Sequence, residues 1–168
     1  MKKSYRTLEF SFIQDYIKNY CFSEMAKKRI DQIQPFQDID DLKLYQDDIS
    51  SAMKIIYAYG RIPLAPYEDI KEILQKAQKG GVCYPQDLLK IVQILKNVQE
   101  VQAYLDQEIE QSHLLEILSL LYLPKDLYNE ILKCVDPSGN IYDHASHELY
   151  RLRRQISAIE ANMRKKIE

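Results

Sequence analysis

The sequence predicts an all-α fold, an irregular helical core that ends in one long helix. Glycine occurs only four times in 168 residues, whereas tight β-turns and hairpins rely on it and average usage is about 7%. Apolar residues recur at steps of three or four almost throughout the chain, which is the spacing of one helix face. Residues that start or end helices separate these periodic runs.

The first half of the chain contains three predicted helices. A periodic run at residues 8–21 gives the first a broad apolar face. Ser23 is suited to cap a second helix, which the next proline ends. Asp38 is suited to cap a third, which Gly60 ends. Two prolines within residues 61–66 then predict an extended connector.

The second half continues the helical pattern. A fourth helix is predicted over residues 67–79, where Gly80 stops it. Pro85 suits the first position of a fifth, because its missing N–H would have no partner there in any case. The remaining helices are predicted over residues 85–109, 114–121, 125–134 and 146–168.

Composition excludes several classes of protein. The chain is 46% hydrophobic and 29% charged with a net charge of −2, so no strong overall field draws it to nucleic acid or membrane. No run approaches the ~20 apolar residues of a membrane span, and no apolar run follows the first lysines. A cytoplasmic location is therefore predicted. Cys21, Cys83 and Cys134 form no Cys-x-x-Cys pair, which argues against a zinc ribbon or a disulfide framework.

Residues 136–156, "DPSGNIYDHASHELYRLRRQI", combine a turn with the start of the last helix. Asp136 and the Pro-Ser-Gly-Asn that follows it are turn residues, and Gly139 can supply a left-handed conformation. Asp143 and Ser146 can accept hydrogen bonds from the first N–H groups of the helix. We call Asp136, Gly139, Asp143 and Ser146 the corner. We interpret the stretch as a rigid structural turn that sets the direction of the long helix.

Three functional interpretations of the same stretch are weaker. A calcium loop needs glycine at its sixth position and a bidentate glutamate at its twelfth, whereas counting from Asp136 gives Gly139 fourth and His147 twelfth. Asp143, His144 and His147 could ligate a transition metal, but zinc commonly takes four ligands and no further ligand is indicated. A Ser–His–Asp set lacks a nucleophile elbow and an oxyanion site.

The order of these features resembles the N-terminal part of the bacterial MutS-like family, in the second MutS branch, which lacks mismatch-reading domains. The resemblance begins at "TLEF" and "CFSEMAKKRIDQIQP", is strongest in "GRIPLAPYEDIKEILQKAQKGGVCYPQDLLKIVQIL", and ends in residues 136–156. There, the family pattern matches Asp136, Gly139, Asp143, Ala145, Ser146, Leu149 and Arg153. The chain departs from the family at Ala26-Lys27-Lys28 and at "ISSAM", where an acidic pair is usual.

The resemblance implies that the chain is a fragment of a larger protein. Residues 1–145 would form the helical core or lever, and residues 146–168 the start of a stem that continues into a coiled-coil clamp. The parent would be a homodimeric ATPase that uses ATP and magnesium, and in many members of the family it would also be an endonuclease. It would act on branched DNA, in repair or in suppression of recombination, or on ribosomes, in the handling of stalled ribosomes. No G-x-x-x-x-G-K-[ST] phosphate loop occurs in this chain, so we expect it to be non-catalytic, without a cofactor or metal of its own.

The last helix carries two further patterns. Leu149, Leu152, Ile156, Ile159 and Met163 follow steps of three and four, which is coiled-coil spacing and equally compatible with core packing. We call them the seam. Arg151, Arg154, Arg164 and Lys165 fall away from the seam and form a basic stripe, either a low-affinity nucleic-acid contact or a solvated helix face.

Two other functions remain open from the residues alone. The chain could be a free-standing helical adaptor that binds another protein through an amphipathic groove. It could also be a small helical enzyme, which would require a deep pocket with converging titratable groups.

Overall fold

The computed structural model describes residues 9–105 and 112–167, with side chains as far as residue 164. Within that part of the chain it contains eight α-helices and one 3₁₀ turn, and the one extended pairing there is an isolated antiparallel bridge between Val135 and Ile141. The prediction of an all-α fold is confirmed. The helices are α1 (Phe10–Lys18), α2 (Glu24–Asp31), α3 (Ile39–Tyr59), α4 (Lys71–Gln78), α5 (Pro85–Leu105), α6 (His113–Ser119), α7 (Lys125–Cys134) and α8 (His147–Ile167), and the 3₁₀ turn is Asp143–Ala145.

Side-chain caps begin several of the helices. Ser23 Oγ accepts from the backbone N–H of Ala26 at 3.1 Å, and Asp38 Oδ1 accepts from that of Asp40 at 2.7 Å. These two predicted caps are confirmed. Ser112 caps α6 in the same way, although the sequence pattern did not predict a cap there. Each cap satisfies a donor that the helix cannot pair internally.

Three helices are clearly shorter than predicted, and α2 is one of them, since it ends at Asp31 rather than near the following proline. α1 ends at Lys18 because the next N–H groups bond three residues back, Tyr20 to Ile17 and Cys21 to Lys18, which tightens the chain out of the α-helix. α4 begins at Lys71 rather than at residue 67, since Asp69 Oδ1 accepts from the Lys71 N–H at 2.9 Å and so fixes the start.

The start of α5 at Pro85 is confirmed. Asp87 stabilises this end, because its carboxylate accepts from the Tyr84 N–H at 3.0 Å. α5 is described as far as Leu105. The predicted continuation to residue 109 lies outside the described residues.

Contacts within the chain divide it into two units that alternate along the sequence. Unit 1 comprises Met1–Lys71 and Lys96–Leu123, and unit 2 comprises Glu72–Leu95 and Pro124–Glu168. The predicted boundary between residues 145 and 146, which refers to a larger protein, stays a prediction. None of the helices in the described part of the chain is both long and apolar enough to cross a membrane.

Two buried side chains of α5 hold unit 1 together. The Tyr104 hydroxyl donates to the Gly60 carbonyl at 2.8 Å, and burial raises the pKa of Tyr104. Asn97 Nδ2 donates to the Ala65 carbonyl at 2.9 Å while its Oδ1 accepts from the Ala65 N–H at 3.1 Å. These bonds fix the end of α3 and the extended connector after it, because a buried polar group is costly without its partner.

The core of unit 2 is small. Leu95, Ile131 and Val135 are its buried apolar side chains among the described residues. Beside them, Leu89 and Tyr142 help to line a cavity of about 340 Å³ between α5, α7 and the corner. The corner therefore rests on the first half of α5.

Candidate functional site

The Asp136 carboxylate is fully engaged in the turn that precedes α8. Its Oδ1 accepts from the backbone N–H groups of Ser138 and Asn140, both at 2.8 Å. Its Oδ2 accepts from the Asn140 amide at 3.1 Å. The hydrogen bond from the Asn140 backbone, with that from its side chain, lowers the pKa of Asp136 below the ordinary value of 3.8. The carboxylate thus accepts its hydrogen bonds from groups within its own turn, and these bonds stabilise its charged form.

Gly139 has φ 85°, a left-handed conformation that costs other residues energy. Its N–H donates to the Asp136 carbonyl at 3.0 Å. A β-carbon here would lie 3.2 Å from Gln86 Nε2 and 3.6 Å from Leu89 Cδ1. The turn consequently requires glycine for its backbone and also packs closely against α5.

The start of α8 combines a cap with an ion pair. Ser146 Oγ accepts from the Leu149 N–H at 3.0 Å, as expected for a cap. Asp143 acts differently from the prediction: it lies in the 3₁₀ turn and its Oδ1 pairs with Arg153 Nη1. Arg153 also donates to the Ile141 carbonyl at 2.9 Å. Because Asp143 precedes the helix by a full turn, its carboxylate meets a side chain of the second turn instead of the first N–H groups.

Arg153 is the site residue that sequence reasoning missed. Its position in the helical pattern is only beside the seam, although Asp143 and Arg153 both belong to the pattern on which the family resemblance rests. The structure supplies the physical link, an ion pair across ten residues that ties the second turn of α8 back to the corner. A planar guanidinium suits this task because it can hold a carboxylate and a carbonyl together.

The two histidines of the stretch do not converge. The His144 ring stacks on Tyr142 with centroids 4.9 Å apart, whereas His147 is the first residue of α8. Across the described part of the chain, no group of three or more His, Cys, Asp or Glu side chains is placed to hold a metal ion.

The seam of α8 is open to solvent. Its members from Leu152 onward, namely Leu152, Ile156, Ile159 and Met163, are between 43% and 59% exposed. Only Leu149, next to the corner, is half-buried. The apolar face therefore has no covering element among the described residues of the chain.

The basic stripe lies on the same helix. Arg151, Arg154 and Arg164 are exposed, and the Arg154 guanidinium lies 5.7 Å from the centre of the Tyr150 ring. The side chain of Lys165 lies outside the described residues. The geometry therefore presents three exposed guanidinium groups on one helix.

Comparison with known proteins finds relatives that share one name, Endonuclease MutS2. No model of a protein family matches the chain. A protein named Endonuclease MutS2 from Clostridium botulinum (strain Alaska E43) is 31% identical over 169 residues, covering 99% of this chain and 22% of the relative. Proteins of the same name from Halothermothrix orenii and Halalkalibacterium halodurans are 31% and 28% identical, with 99% and 100% of this chain covered and again 22% of each relative. The chain is thus similar along essentially its whole length to a segment that makes up about a fifth of proteins named Endonuclease MutS2.

Proposed function

We propose that the chain belongs to the second MutS branch and is a non-catalytic lever segment of a larger, DNA-related protein. The observation that carries this proposal is the similarity to Endonuclease MutS2 proteins at about 30% identity along the whole chain. The expected order of features, from "TLEF" to the corner, supports it. ATP and magnesium binding, and any nuclease activity, belong in this proposal to other parts of the parent.

The exposed seam supports the second part of the proposal, that α8 begins a clamp stem. Burying a Leu, Ile or Met side chain completely is worth about 1.5–3 kcal/mol. Four seam side chains that are roughly half exposed thus leave on the order of 4 kcal/mol of stabilisation unused. A partner helix from the rest of the parent would gain it. The lever would then transmit motion between an ATPase domain and a clamp that embraces branched DNA or engages a ribosome in the cytoplasm.

The first test is the reading frame of the gene. We expect it to continue beyond residue 168 and to encode a G-x-x-x-x-G-K-[ST] phosphate loop. A stop codon directly after residue 168 would contradict the fragment proposal and favour the free-standing adaptor.

The second test compares two aspartate substitutions in α8. Ile159→Asp enters the seam, whereas Ala158→Asp enters the opposite, exposed side of the same helix and is the matched control. In the 168-residue chain both should leave the free energy of unfolding within about 0.5 kcal/mol, because both sites face water.

In the longer protein, only Ile159→Asp should destabilise, by about 2–4 kcal/mol, since a charge would be buried against the partner helix. Urea unfolding of both lengths measures the difference. If Ile159→Asp proves as harmless as Ala158→Asp in the longer protein, the seam has no partner there and α8 is not a stem.

A further inference from the structure

Helix α8 is largely open to solvent along its length. Every residue from Tyr150 to Arg164 is exposed, whereas Leu149 in the first turn is half-buried. The 3₁₀ turn Asp143–Ala145 is the element of unit 2 against which α8 mainly packs. The direction of this helix is therefore fixed at one end, by the few groups that join it to the corner.

Ser146 links the 3₁₀ turn, which ends at Ala145, to α8, which begins at His147. Its backbone is extended, with φ −147° and ψ 151°. The hydrogen bonds of Ser146 run forward into the helix, from the Leu149 N–H to its Oγ at 3.0 Å and from the Tyr150 N–H to its carbonyl at 3.1 Å. Ser146 is thus bound to the helix rather than to the turn. A change in the φ of this one residue would swing α8 as a unit.

Arg153 reaches back across this junction. Its Nη1 pairs with Asp143 Oδ1 and also donates to the Ile141 carbonyl at 2.9 Å. Among the described residues, these are the hydrogen bonds that connect α8 to the segment before Ser146. The bonds that Asp136 accepts lie wholly before the junction, so they stiffen the turn without directing α8.

We propose that Arg153 is a releasable latch on a hinge at Ser146. Helix α8 holds its direction while Arg153 pairs with Asp143, and it swings about Ser146 when the pair opens. The Arg153 and Asp143 side chains are 42% and 64% exposed, so dissolved ions reach both. An exposed pair of this kind shifts an equilibrium by up to about fivefold. The latch is consequently strong enough to favour one direction of α8, and weak enough to open when salt or another charged group competes for either side chain.

Double electron–electron resonance between spin labels on α7 and α8 measures the direction of the helix. Asn129→Cys and Ala161→Cys place the labels at exposed positions, in the 168-residue chain with its three natural cysteines changed to alanine. At 1.5 Å per residue Ala161 lies about 22 Å along α8 from Ser146, so a swing of about 30° moves this label by roughly 11 Å. Docked and displaced helices therefore give different label-to-label distances.

Arg153→Ala should raise the ratio of displaced to docked α8 by about fivefold or more, because it removes both bonds across the junction. Arg153→Lys should give an intermediate ratio, since an ammonium keeps the charge but lacks the fork of the guanidinium. Arg154→Ala is the matched control and should leave the ratio unchanged, because that guanidinium lies over Tyr150 of the same helix. Raising the salt from about 0.05 M to about 1 M should increase the ratio in the natural chain but not in Arg153→Ala.

Three results would overturn the latch. The first is an unchanged ratio in Arg153→Ala, because Leu149 and the turn would then hold α8 without the arginine. The second is an equal response to Arg154→Ala, since the charge of the whole helix would then be responsible. The third is a natural chain whose ratio does not change with salt, because the hold would then not depend on an exposed ion pair. The salt series needs no substitution at position 153, so it decides the question even if a variant loses its helical circular dichroism.

Discussion

Replacing Gly139 by valine tests how the corner is built. At φ 85° a residue with a β-carbon is strained by about 1–2 kcal/mol. The new β-carbon would also lie 3.2 Å from Gln86 Nε2, so the glutamine must move and the branched side chain overpacks the contact with α5, for about 1 kcal/mol more. We expect Gly139→Val to lower the free energy of unfolding by about 2–3 kcal/mol.

Two further variants separate the strain from the contact. Gly80 has φ 76°, and a β-carbon there would have nothing within 4 Å, so Gly80→Val should cost only the strain of about 1–2 kcal/mol. Adding Gln86→Ala to Gly139→Val should restore about 1 kcal/mol by removing the crowded group. Urea unfolding followed by far-ultraviolet circular dichroism measures all three. If Gly139→Val costs no more than Gly80→Val, or if Gln86→Ala gives no recovery, the corner is not packed as described.

Three other predictions follow from the corner and α8. The pKa of Asp136 is lower in the folded chain than its unfolded value near 3.8, so the charged carboxylate stabilises the fold above pH 3.8, and this stabilisation is lost as the pH falls through the folded pKa. Asp136→Asn should therefore reduce the acid dependence of the free energy of unfolding, measured between about pH 5 and about pH 2. A double-mutant cycle of Asp143→Ala and Arg153→Ala should give a coupling of about 0.5–1 kcal/mol that weakens with salt, and additive effects would show that the pair does not act together. Fluorescence anisotropy at about 0.15 M salt should show weak or no DNA binding by this chain, whereas tight binding abolished by changing the four residues of the basic stripe to glutamate would make α8 itself a contact surface.

The proposed function of this chain depends on which surfaces the larger protein of that proposal would cover. The α8 seam is apolar and open in the described residues, and it belongs to a predominantly basic helix. The aspartate substitution at Ile159 therefore tests whether this face is a stem that a partner helix covers.

The sequence by itself determined the helices and most of their ends. α7 begins and ends where it was predicted, and Ser23, Asp38 and Pro85 begin their helices as expected. The left-handed conformation of Gly139 was likewise predicted from its neighbours. These features depend on residues within about four positions of one another, so the pattern that specifies them is visible in a short stretch of chain.

Only the tertiary structure decided which distant residues meet. Three contacts join elements whose relative positions no local pattern encodes. They are the ion pair of Asp143 with Arg153, the close packing of Gly139 against Gln86, and the hydrogen bond from the Tyr104 hydroxyl to the Gly60 carbonyl. The same holds for the exposed seam of α8, because its spacing is equally compatible with core packing and with a coiled coil and so does not reveal whether the face will be covered. Local propensity forms the elements, but the path of the chain selects the contacts between them and so the surfaces left for partners.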